Sequence, residues 1–195
     1  MVFKGRYAII GTHCCGKTTL AKELFHRKLF DNVIFEIAST FPKSERGKTS
    51  AQKQIMSKQI EYETKLGSFI SDRSVIDNIS YCWLTHHESG RSDEASFRSC
   101  VSLIHEYLMT NPYDMIFFVD EFFPLIHDGN RSKVPEYQEI VFNKVKQYVY
   151  AFSDLYNIPV IPIRGNTEER IKQIVAICSG PKPRLGKISK EGIDL

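Results

Sequence analysis

Short apolar runs that alternate with longer, helix-periodic stretches predict an α/β fold: a doubly wound, parallel sheet of five strands. Two further observations support this. The first apolar run ends at a glycine-bounded loop that opens a helix, and the most apolar run lies in mid-chain, where a buried strand belongs. A chain of 195 residues, 42% hydrophobic and 25% charged, suits one domain with a sizeable core.

Residues 7–10 (YAII) read as the first buried strand, followed from Lys17 by a helix with Leu20, Ala21, Leu24 and Phe25 on one face. Residues 32–37 (NVIFEI) read as the second strand, and 50–66 as a long polar helix without Gly or Pro. Residues 68–71 predict a short third strand, and 74–86 a helix packed through Ile76, Ile79, Tyr81 and Trp83. After a polar loop at 88–92, Phe97, Cys100, Val101, Ile104 and Leu108 mark a helix over 93–109 that stops before Pro112. Residues 115–119 (MIFFV) predict a central strand. Pro135 suits a first helical position, and Tyr137, Val141, Val145, Tyr148 and Phe152 stripe a helix that reaches Tyr156. Residues 158–163 (IPVIPI) read as the fifth strand, whose two prolines point to an edge or a strand end, and 167–178 close with a helix. The domain is expected over 1–180, with an irregular basic tail at 181–195 that carries Lys182, Arg184, Lys187 and Lys190.

A net charge of +3 is too weak to argue for nucleic acid by itself. Five cysteines, odd in number and without zinc spacing, read as reduced thiols of a cytoplasmic protein. No signal-peptide pattern opens the chain, and no stretch reaches the roughly 18 apolar residues of a membrane span, so no membrane partner is expected.

The loop after the first strand carries the chemistry. Gly11, Thr12, His13, Cys14, Cys15, Gly16, Lys17 and Thr18 match GxxxxGK[ST] without a gap, with Thr19 next in the helix. Glycines let successive N–H groups face phosphates, and the new helix adds its positive end. Lys17 brings a charge to the outer phosphates, and the Thr18 hydroxyl suits Mg²⁺. This is the phosphate loop of a P-loop NTPase, with ATP and Mg²⁺ as expected cofactors. A metal-organising acid should then stand at a neighbouring strand end. Asp72 and Arg73 follow the third strand: Asp72 as second metal-side residue and Arg73 as a phosphate-binding cation, or, alternatively, a helix-capping Asp with an Arg salt bridge.

Residues 69–81, with Asp72-Arg73 and a helix ending in Ser80-Tyr81, resemble the Asp-Arg segment of thymidylate and deoxynucleoside kinases. Over most of the domain the chain resembles the family containing the nicotinamide-riboside kinase domain: Glu36 after strand two, Asp72-Arg73, an Asp-Gly-x-Arg element at Asp128 to Arg131, and a tyrosine-rich helix before an Ile-Pro-Val strand. The resemblance implies a nucleoside- and nucleotide-kinase-like fold with catalytic Lys17, Glu36, Asp72, Arg73 and Arg131. Glu36 would be the base for an acceptor hydroxyl. Arg131 would belong to a lid at 122–134 that closes on the transferring phosphoryl, with Lys133 beside it. The family's Arg soon after the strand-two acid is missing here, and Lys43 or Arg46 is a substitute. Asp120-Glu121 has the form of a second metal pair, a role the resemblance does not assign. Gln54, Gln59 and Glu63 occupy the helix where such kinases meet their acceptor, although an exposed polar helix has the same pattern.

The expected activity is transfer of the γ-phosphoryl group of ATP to a nucleoside- or nucleoside-monophosphate-like acceptor. The alternatives are a polynucleotide or modified-base DNA kinase, with nucleic acid as partner, and a nucleotide-dependent switch. A homodimer is left open.

Overall fold

The computed structural model describes residues 2–46, 48–88, 94–121 and 135–181. The expected lid at 122–134, with Arg131 and Lys133, and the tail beyond residue 181 lie outside the described residues.

Five parallel strands, β1 (Arg6–Ile10), β2 (Val33–Ile34), β3 (Phe69–Asp72), β4 (Met115–Val119) and β5 (Val160–Ile163), pair in the order β2-β3-β1-β4-β5. Among the described residues, seven α-helices connect or follow them: α1 (Lys17–His26), α2 (Lys43–Arg46), α3 (Thr49–Leu66), α4 (Val75–Glu88), α5 (Glu94–Thr110), α6 (Pro135–Tyr156) and α7 (Thr167–Ser179). The interior strands β1, β3 and β4 are buried on both faces, so they read as continuous apolar runs. Their side chains alternate between two cores. Ala8, Ile10, Phe69, Ile116 and Phe118 pack with α3 to α6, whereas Tyr7, Ile9, Ile70, Phe117 and Val119 pack with α1 and α7. The last strand begins at Val160 instead of residue 158, so Pro159 precedes it and Pro162 lies within it at the sheet edge, where the missing N–H costs least.

Two expectations need correction. The second strand is only Val33–Ile34, and Ile37–Thr40 forms a 3₁₀ turn instead of a strand end. Among the described residues only β3 flanks β2, so no second ladder holds its outer edge there. The third strand runs through Asp72, placing that carboxylate on the ladder opposite Ile9. Among the described residues, no helix is long and apolar enough to cross a membrane.

Candidate functional site

The carboxyl ends of β1, β3 and β4 lie side by side, the place where ligands bind in open parallel sheets. From β1 the chain turns at Gly11, where a Cβ would stand 2.9 Å from Cys15 Sγ and 3.1 Å from Val119 Cβ, too close for any other residue. Cys14 and Gly16 take positive φ, 62° and 84°, which curls the loop as anion-binding nests curl. The underside is sealed: Cys15 is buried and its Sγ donates to the Thr12 carbonyl at 3.0 Å. The Lys17 ammonium donates to the same carbonyl. Gly11, Thr12 and Cys15 thus form the buried floor, while His13, Cys14, Gly16, Lys17, Thr18 and Thr19 line a cleft of about 280 Å³.

The other wall of this cleft is Asp72, Arg73 and Glu36. The Thr18 hydroxyl donates to Asp72 Oδ2 at 2.6 Å. Asp72 is 1% exposed, and its Oδ1 has no hydrogen-bond partner. A hydroxyl and a buried, half-satisfied carboxylate fit a hard, oxygen-seeking cation such as Mg²⁺, which takes one or two protein oxygens and completes its shell with phosphates and water. No cluster of three metal-ligating His, Cys, Asp or Glu side chains occurs among the described residues.

Arg73 is the most constrained residue of the site. Its φ is 93°, a region sparsely populated by non-glycine residues, and its N–H donates to the Ile9 carbonyl at 3.1 Å. The guanidinium donates from Nε to Glu36 at 2.7 Å, and from Nη1 to Asp77 at 3.2 Å and to the Tyr81 hydroxyl at 3.1 Å. It also lies 4.9 Å from the Tyr81 ring centroid. Burial opposes its charge, but Tyr81, Glu36, Asp77 and Asp72 together raise its pKa. Burial raises the Asp77 carboxyl, and the Arg73 charge pulls it back. Asp72 is not the helix cap. That role falls to Ser74, whose Oγ accepts from Ile76 and Asp77 N–H, and to Asp77, which accepts from Ser74 N–H at 2.7 Å. The sequence reading missed Asp77. The i,i+4 spacing from Arg73 was its signal.

At the ends of β4 and β5 the acids serve arginines. Asp120 accepts from Arg164 at 2.6 Å and lies 3.7 Å from Lys146. Glu121 accepts from Arg170 and from Gly165 N–H, both at 2.8 Å. They are therefore not a second metal pair. Arg170, 3% exposed, also donates to the Cys15 carbonyl at 2.6 Å and so braces the phosphate loop from α7. A capping box of Asn166 and Glu169 fixes the start of α7 and hence the reach of Arg170. No motif flags this arginine, since its loop and strand partners are far away in sequence.

Two acceptor-side expectations also change. Arg46 donates to the Phe41 and Ser39 carbonyls, each at 2.9 Å, so it clamps the 3₁₀ turn instead of supplying a site charge. Gln59 and Glu63 are 1% and 0% exposed and bind Ser71, Tyr107 and Tyr113 inside the core. They do not face an acceptor.

Residues 6–170 match the family model described as an AAA domain. No curated protein matches the chain. Among solved structures, NadR protein in complex with NAD and AMP-PNP aligns with a TM-score of 0.66 and 16% identity, over 94% of this chain and 52% of that one. The chain thus spans about half the length of NadR. Deoxyadenosine kinase from M. mycoides with bound dATP aligns with a TM-score of 0.64 and 16% identity, over 90% of this chain and 100% of that one. At such identity the likeness shows the fold. Because the family model runs from the first strand into the last helix across the phosphate loop, the chain belongs to the AAA domain family, as a P-loop protein with a nucleoside-kinase-like fold.

Proposed function

We propose that the protein is an ATP-dependent kinase that moves the γ-phosphoryl group onto a nucleoside- or nucleoside-monophosphate-like acceptor. One observation carries the reading: a single cleft joins the phosphate loop, with Lys17 and Thr18, to the Glu36–Arg73 pair on its far wall. A donor nucleotide held by its phosphates on the loop would present its outer phosphate to that pair. Phosphoryl transfer needs positioning and charge neutralisation more than covalent help from the protein. Lys17 meets the outer phosphates, and Arg73, fixed by Glu36, Asp77 and Tyr81, faces the migrating group without needing to reorganise. Against an acceptor hydroxyl, Glu36 takes the proton. Against an acceptor phosphate no base is needed, and Arg73 grips that phosphate instead. Thr18 and Asp72 would hold Mg²⁺, which when bound offsets phosphate charge.

Three of the five cysteines are buried and all five are thiols, which suits the cytoplasm. The test is incubation with γ-labelled ATP and separate pools of nucleosides, nucleoside monophosphates and nicotinamide riboside, for the parent and Lys17→Ala. Transfer to one pool, lost in Lys17→Ala while circular dichroism is unchanged, is expected. Full turnover in Lys17→Ala would sink the assignment.

A further inference from the structure

The outer face of α3 borders a second cleft of about 670 Å³, a size ordinary for ligand sites. Helical spacing builds two rows along it, Ser50, Gln54 and Lys58 on one and Lys53 and Ser57 on the next. The Phe41 ring completes the lining, with Lys58 Nζ 5.7 Å from its centroid. Lys53 donates to the Ser99 hydroxyl at 2.7 Å, a neutral partner that leaves its charge uncompensated. Neither lysine forms a salt bridge among the described residues. The acid in the lining, Glu61, is paired with Lys65 at 2.6 Å and also feels the charge of Lys58, so the lining keeps a positive excess at Lys53. Ammonium groups, hydroxyl and amide donors, and an aromatic ring are what hold phosphates and stack bases along single strands.

The position of this cleft says what it serves. Glu36 lines the first cleft and Phe41 the second, and only the turn Ile37–Thr40 separates them. At about 2 Å per residue the two ends stand roughly 10 Å apart. Arg46 locks the turn through the Ser39 and Phe41 carbonyls, so the spacing is fixed. We infer that the second cleft is a nucleotide subsite, which extends the acceptor from the nucleoside-like unit at the first cleft to the end of a single strand. The reacting nucleotide lies at Glu36 and Arg73, a neighbouring base lies on Phe41, and the intervening phosphates pass Lys53 and Lys58. The inference rests on the first cleft being the acceptor end, but its test reads binding and needs no turnover.

Fluorescence anisotropy would be measured with a labelled single-stranded DNA hexamer and with labelled mononucleotides, on the parent, Lys53→Ala/Lys58→Ala and Phe41→Leu. Leu keeps the apolar contact of residue 41 with the core, and thermal melts check folding. The double variant should bind the hexamer about tenfold more weakly, with the log–log salt slope reduced by about 1.4, two contacts at ~0.7 each. Phe41→Leu should lose at least about fivefold, the low end of base–aromatic stacking. Mononucleotide and ATP affinity should not change in either variant. Hexamer binding no tighter than mononucleotide binding, or unchanged in the variants, would overturn the inference. So would equal losses for mononucleotides, which would make the cleft a free-nucleotide site, or equal binding of an acidic peptide. If no acceptor is ever phosphorylated yet the hexamer losses appear, the kinase reading fails and the subsite stands.

Discussion

Glu63→Gln probes a carboxyl buried in the interior. Glu63 is 0% exposed on α3, and its carboxylate accepts hydrogen bonds from Gln59 at 2.6 Å, from Tyr107 at 2.6 Å and from Tyr113 at 2.9 Å. The Arg6 guanidinium of β1 binds the Glu63 carbonyl at 3.2 Å and the Tyr107 hydroxyl. Burial nevertheless raises the carboxyl from 4.5 to about 7, against the pull of those hydrogen bonds and of Arg6. Between the two values the folded protein keeps a proton that the unfolded chain releases, so stability falls as pH rises through this window. Above the folded value the penalty is complete, about 3 kcal/mol at ~1.4 kcal/mol per pH unit. Glutamine carries no such penalty, though its extra N–H must find one of the tyrosine oxygens, an adjustment of about 1 kcal/mol. The variant should therefore match the parent near pH 5 and exceed it by about 2 kcal/mol at pH 8, or roughly 4–8 °C in Tm for a chain of this size. Thermal melts at half-unit steps from pH 5 to 8 would measure this. A variant less stable at pH 8, or a difference that does not change with pH, would refute the reasoning.

Asp72→Asn should keep the fold but lose about 10²-fold or more in turnover. It should also weaken the Mg²⁺ dependence of ATP binding, and an unchanged Mg²⁺ titration by calorimetry would count against Asp72 at the metal. Arg170→Met should cost about 2 kcal/mol at pH 7, the scale of hydrogen bonds to charged groups, and raise the KM for ATP as the loop loses its brace. The Arg170 hydrogen bond, foremost, holds the Glu121 carboxyl below its ordinary value. That stability is present above the unfolded pKa and lost as pH falls through the lower folded one, so the gap between parent and variant should close in acid melts. Cys14, the exposed thiol of the cleft, should be the first of the cysteines alkylated by iodoacetamide, because Cys15, Cys82 and Cys100 are buried and burial lifts Cys178 to about 11. AMP-PNP should slow that reaction, and equal rates with and without it would argue against phosphates lying over Cys14.

By itself the sequence determined the fold class, the element order and the phosphate loop. Strands buried on both faces must be continuous apolar runs, and the loop needs glycines, lysine and threonine in consecutive register, so both signals are local. The positions of Asp72 and Arg73 were legible for the same reason, at the end of such a run and just past it. What only the tertiary structure decided depends on residues far apart in the chain. It turned Asp120 and Glu121 from metal candidates into partners of Arg164 and Arg170, and Arg46 from a site charge into a clamp on a turn. It also sank Gln59 and Glu63 of a polar-looking helix into the core, because Ser71, Tyr107 and Tyr113 arrive from other elements to satisfy them. A polar side chain is exposed or buried according to whether partners reach it. Hydrogen bonds between residues separated by dozens of positions leave no period or spacing in the sequence to read.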